Sequence, residues 1–113
     1  MTLPARGDIW LASLNPTRGH EQAGRRPVLI VSEDLLNQGP AGLVIALPVT
    51  STMRPIPTHV PVKPPEGGLR SNSAILCEAV RSISTERLVA RWGAVSPRTM
   101  GEVEDRLRIL LRL

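Results

Sequence analysis

Aromatic side chains are almost missing from this 113-residue chain, which has no Phe, no Tyr and two tryptophans, Trp10 and Trp92. The core must therefore be aliphatic, and a 42% hydrophobic content is ordinary for that purpose. Cysteine is equally scarce. The single Cys77 excludes an internal disulfide and a cysteine-based zinc cluster, and it reads as a small buried side chain on a strand. No apolar run approaches the ~20 residues of a membrane helix, because Pro and Arg interrupt each candidate. The start, "MTLPARGDIW", lacks the apolar segment of a signal peptide, so a cytoplasmic protein with no membrane partner is expected. No Gly-rich loop precedes a Lys, no histidines stand at metal-ligand spacing, and there is no nucleophile elbow. These absences argue against nucleotide-driven or metal-dependent chemistry, and no cofactor is expected. Repeats, linkers and low-complexity tails are missing too, and the length suits one domain over residues 1–113.

Lysine is the last scarcity. Of fourteen basic residues only Lys63 is lysine; with ten acidic residues the formal net charge is +4. Arginine forks onto phosphate oxygens and stacks on bases, so an Arg-rich basic domain suits a nucleic-acid partner. Some of the arginines have a simpler reading. Glu102–Arg106 and Glu104–Arg108 are i,i+4 pairs expected on a solvated helix face.

Short apolar runs separated by turn signals predict strands at Gly7–Leu14, Pro27–Ser32, Gly42–Thr50, Thr58–Val62, Ser73–Ile83 and through "VARWGAV". Pro48 and Pro61 mark edges or bulges, "PPEGGLRSN" a loop, and "STERL" one helical turn capped by Ser84 or Thr85. The C-terminal helix is the clearest element. Ser96 is its N-cap, Pro97 takes the first helical position, and Met100, Val103, Leu107, Leu110 and Leu111 share the core face. Several short strands followed by one packed helix predict a mainly β fold, a small curved antiparallel sheet or partial barrel.

Two polar clusters stand where a loop meets a strand. The first holds Arg18, His20, Glu21, Gln22, Arg25 and Arg26; the second holds Thr50, Ser51, Thr52 and Arg54. Either alone is explained by a solvated basic turn or a hydroxyl-stabilised turn. If the strands they flank are neighbours, the clusters converge and surround one anionic ligand with guanidinium, carboxylate and hydroxyl groups.

Together, "RGDIWLASLNPTRGHEQAGRRPVLIVS", "ALPVTS", "PTHV" and "SAILCEAVRSI" resemble the MazF/PemK (Kid) family of toxin ribonucleases, from Arg6 to the C-terminal helix. The most specific part is the Glu-Gln-x-Gly-x-Arg-Pro block at Glu21–Pro27, followed about two dozen residues later by Thr50. The resemblance implies an SH3-like small barrel of twisted antiparallel strands, working as a homodimer. It implies metal-independent cleavage of single-stranded RNA (mRNA, or tRNA or rRNA) at short sequence motifs, restrained by a small acidic MazE-like antitoxin whose tail occupies the RNA groove. The family's catalytic arginine falls on Arg26, its threonine on Thr50, and a glutamate implicated in some members on Glu21.

Such cleavage drives the 2′-OH onto the adjacent phosphate. Arg26 suits stabilisation of the dianionic phosphorane and suits proton transfer badly, because a guanidinium is a donor that keeps its proton in proteins. Thr50 donates a hydroxyl hydrogen bond. Glu21 is either the general base or the partner that orients Arg26. His20 is expected to make a loop contact with the substrate, and His59 reads as structural. Arg18, His20, Gln22, Ser51 and Arg54 are the expected RNA contacts, with Arg25 either joining them or facing solvent. Both tryptophans lie in strand-like segments, where core packing or a dimer interface explains them. Ala79 stands where family members often carry Gln, which removes one base-reading amide. Two rival classes share the barrel or the charge: a CcdB-like toxin that binds DNA gyrase without hydrolysis, and a nucleic-acid-binding module without catalysis.

Overall fold

An apolar run without alternation belongs to a strand covered on both faces, and the central strands are built that way. The computed structural model of the protein describes residues 2–14 and 24–113. Seven strands are found there: β1 (Asp8–Ser13), β2 (Arg25–Ile30), β3 (Leu43–Thr50), β4 (His59–Val62), β5 (Ser73–Leu76), β6 (Arg81–Ser84) and β7 (Leu88–Ala94). Two helices join them, α1 (Asp34–Asn37) and α2 (Pro97–Leu111). The sheet is antiparallel with order β4-β5-β3-β2-β1-β7, and β6 pairs with β3 beside β5. Its path ends at β4 and β7, so the sheet does not close on itself. Among the described residues no helix is long and apolar enough to cross a membrane.

Register explains the two-sided burial. Ile9 pairs with Leu29, and Leu29 with Leu47, so these three form one row across β1, β2 and β3. That row joins Val49, Val60, Val62 and Ile75 in one core, which α2 covers with Val103, Met100 and Leu107. The alternate residues Trp10, Ala12, Val28, Ile30, Val44 and Ala46 face the other way and pack with Leu14, Ile83 and Leu88. Truncating any of the fully enclosed aliphatics to Ala costs about 2–5 kcal/mol, because transfer and cavity terms add.

Local chemistry fixes several boundaries. Ser96 caps α2 by accepting the Thr99 N–H at 3.2 Å, and Ser84 accepts the Glu86 N–H of the turn Thr85–Arg87. Pro61 lies on the edge strand β4 as expected. Pro48 lies inside β3 rather than at its end. It is tolerated there because, on the side away from β2, pairing with β6 stops at Ala46 and pairing with β5 starts at Val49.

Four expectations are corrected. The strand expected at Pro27 begins at Arg25, so both arginines are ladder residues, opposite Ser13 and Ala12. The single strand expected over Ser73–Ile83 is broken by a 3₁₀ turn at Cys77–Ala79; pairing with β3 shifts by three residues across the turn. Leu110 and Leu111 are exposed, at 39% and 52%, because α2 runs on beyond the core that Val103 and Leu107 enter. The helix arginines pair differently as well: Glu104 meets Arg6 and Arg108 meets Asp105.

Candidate active site

The register between β2 and β3 sets Val28 against Pro48 and Ile30 against Ala46. Continued to the strand ends, it brings Arg26 across from Thr50. Arg26, of the first polar cluster, thus meets the second cluster at one end of the sheet. An open cavity of about 600 Å³ lies there, lined by Arg26, Thr50, Ser51, Thr52 and Arg54 together with Ile56, His59, Leu76 and Glu78. Arg25 does not line it. Strand alternation sends its side chain to the face opposite Arg26, and it is exposed.

Thr50 is held by its own turn. Its Oγ1 accepts the Thr52 N–H at 3.1 Å, which leaves the hydroxyl proton to be donated elsewhere. This is the hydroxyl-stabilised turn that "TST" suggests, and it orients the group a phosphate would meet. Arg18, His20, Glu21 and Gln22 lie outside the described residues.

The cavity contains two residues that the sequence reading did not place there. His59 opens β4, and Glu78 sits on the 3₁₀ turn between β5 and β6. His59 Nε2 and Glu78 Oε2 are 2.8 Å apart, and Thr58 Oγ1 donates to Glu78 Oε1 at 2.7 Å. The His59 side chain is 7% exposed and that of Glu78 42%, so the carboxylate faces the cavity and the imidazole backs it. His59 Nδ1 is buried without a hydrogen-bond partner among the described residues. Burial pushes the Glu78 carboxyl up; the bonds from Thr58, its own backbone and His59 outweigh that and hold it below the ordinary 4.5. Next to it, burial and the Glu78 charge push the Cys77 thiol up to about 11. Cys77 is fully buried as expected, but it opens the 3₁₀ turn after β5 rather than lying on a strand.

Trp10 is core, its indole N–H donating to the buried Asp8 carboxylate at 3.1 Å. Arg91 closes the other side of that carboxylate at 3.2 Å. Trp92 is different, being 36% exposed.

The model of the PemK-like, MazF-like toxin of type II toxin–antitoxin systems matches residues 5–111. The chain belongs to this family. Endoribonuclease EndoA of Bacillus subtilis is 35% identical to this PemK/MazF chain over 109 residues, covering 96% of it and 94% of EndoA. MazF from Deinococcus radiodurans superposes with a TM-score of 0.87 at 29% identity, covering 100% of both chains. A MazE–MazF structure from the same organism gives a TM-score of 0.84 at 30% identity, covering 100% of this chain and 99% of that one. The fold is therefore that of MazF, a mainly antiparallel sheet that does not close, with a C-terminal helix.

Proposed function

We propose that this PemK/MazF chain is an endoribonuclease toxin that cleaves single-stranded RNA at the Arg26–Thr50 cavity, without a metal ion. The observation that carries the reading is the β2–β3 register, which joins the two family-matched residues in one cavity that also holds a carboxylate. The 2′-oxygen attacks the adjacent phosphorus, the bond to the 5′-oxygen breaks as that oxygen takes a proton from water in the open cavity, and the products carry a 2′,3′-cyclic phosphate and a 5′-OH. Arg26 supplies fixed donors to the charge that develops on the phosphate oxygens. Thr50 donates its hydroxyl proton to the same group. Arg54 adds positive charge at the cavity wall and, with Ser51, contacts the backbone of the strand.

Glu78 is the carboxylate that lines the cavity among the described residues, and it takes the 2′ proton. Thr58 and His59 fix its direction. Glu21 then keeps the other role open to it, orienting Arg26 within the motif block, and Arg18, His20 and Gln22 contact RNA from the same segment.

The toxin works in the cytoplasm, where its RNA substrate is. An acidic MazE-like antitoxin silences it by laying carboxylates against Arg26 and Arg54, which a chain of net charge +4 favours. Relatives support that partner, since MazE and MazF of Deinococcus radiodurans were solved together. A homodimer is supported by Leu43 and Ile45, two apart on β3, which remain 40% and 38% exposed with Val80 at 37%.

Product chemistry tests the reaction. Cleaved RNA should carry a cyclic phosphate and a free 5′-OH, and Thr50→Val should slow cleavage about tenfold or more without changing the ends. Products with a 5′-phosphate would contradict 2′-OH attack. A gyrase-binding toxin would leave RNA intact.

A further inference from the structure

A smaller cavity of about 180 Å³ adjoins the cleavage cavity, and Arg26 and Ser51 line both. Its walls are Pro27, Val49, Leu69 and Trp92, with Arg70 and Ser73 among its polar groups. It is smaller than the ~300–1,000 Å³ of a pocket that encloses a whole small-molecule ligand. A flat apolar wall, a guanidinium and hydroxyls next to a phosphate site are what a single nucleobase would use.

Trp92 is unusual in this setting. The other tryptophan is buried with its N–H bonded to Asp8, whereas Trp92 leaves a third of its surface uncovered beside the proposed centre. Its backbone is closely hemmed in. Gly68, at φ +73°, lies so near that an added Cβ would stand 2.3 Å from the Trp92 carbonyl oxygen, and a Cβ on Gly93 would stand 2.8 Å from Gly67 carbon. Only glycines permit that contact, and it fixes where the indole projects.

We propose that Trp92 is a stacking platform for a base of the RNA strand next to the phosphate held by Arg26, with Arg70 neutralising the following backbone. This rests on the reading of the Arg26–Thr50 cavity as the cleavage centre. Base–aromatic stacking tolerates every base, so Trp92 contributes affinity and positioning rather than sequence choice. Loss of the platform should weaken RNA binding roughly 5- to 150-fold by the range known for such stacking.

The test uses the full chain and a mixed-sequence 2′-O-methyl RNA oligonucleotide, which cannot be cleaved because its attacking hydroxyl is blocked. Binding should quench the fluorescence of the wild-type protein, since Trp92 is the exposed indole and Trp10 the enclosed one. Trp92→Leu should lose the quench, weaken binding by at least about fivefold and raise KM for cleavable RNA more than it lowers kcat. Trp92→Phe should restore most of the affinity. Saturating RNA that leaves wild-type fluorescence unchanged would overturn the proposal even if Trp92→Leu failed to fold. Unchanged affinity in folded Trp92→Leu would overturn it too, as would weaker binding explained wholly by loss of the dimer on size exclusion. Arg26→Ala in the cleavage assay separates the two readings: if it is inactive while Trp92→Leu binds normally, only the platform fails, and if it cleaves normally, the centre itself is misplaced.

Discussion

Replacing Glu78 by Gln removes the proposed proton acceptor while keeping its shape and its capacity to accept the Thr58 hydroxyl proton. General-base catalysis contributes about 10²–10⁴ in rate, so Glu78→Gln should lower kcat/KM by that range, which corresponds to roughly 3–5 kcal/mol of barrier at 1.36 kcal/mol per tenfold. The pH profile carries the sharper signature. A carboxyl held below the ordinary 4.5 by Thr58 and His59 is ionised over more of the acid range, so wild-type kcat/KM should rise with pH through a limb below 4.5 and then level. Thr58→Ala removes a bond that favours the ionised form. The limb should move up in pH, with a rate loss smaller than that of Glu78→Gln. In Glu78→Gln the limb should vanish. The assay is cleavage of a fluorophore-quencher RNA between pH 3.5 and 8, with circular dichroism confirming the fold at each pH. Cleavage by folded Glu78→Gln within threefold of wild type would refute the assignment and return the proton step to Glu21.

Two further predictions concern the frame around the site. Glu66 accepts the Ser96 N–H at 2.9 Å and the Thr99 hydroxyl at 2.6 Å, tying the glycine turn Glu66–Gly68 to the start of α2. Burial pushes its carboxyl up but these bonds outweigh it, so the folded pKa lies below 4.5 and the stabilisation, present above the unfolded pKa, is lost as pH falls through the folded one. Glu66→Gln should lower stability at pH 7 by about 1 kcal/mol, or roughly 4 °C in Tm. The two proteins should converge near pH 3, and a gap that persists there would contradict the charge argument. The Cys77 thiol, buried and raised to about 11, should resist Ellman's reagent at pH 8 in the folded protein and react fully in denaturant. Stoichiometric reaction without unfolding would show that the turn at Cys77–Ala79 opens.

Much of this molecule is legible in its sequence, for reasons that differ by element. Strands buried on both faces betray themselves as unbroken aliphatic runs, and α2 carries a cap, a proline and a helical stripe. The meeting of Arg26 with Thr50 needed only the pairing of two recognisable strands. Glu78 was not legible, because Ser73–Ile83 has no Gly or Pro to mark the break. The turn arises where β5 and β6 must share one edge of β3 in registers three residues apart, a tertiary demand. His59 was undervalued for the same reason, since its partner lies 19 residues away. Trp92 looked like any strand aromatic; its exposure follows from the glycine turn pressed on its backbone, which no periodicity records.

The proposed chemistry turns on Arg26 stabilising charge in a metal-free RNA cleavage. The direct measurement is cleavage of a long mixed-sequence single-stranded RNA in EDTA, beside the identical DNA and an Arg26→Ala protein shown to be folded. Wild type should give discrete RNA fragments and leave DNA intact, and Arg26→Ala should lose at least about 10² in rate. Fragments of equal yield from the folded variant, or intact RNA from the wild type, would contradict it.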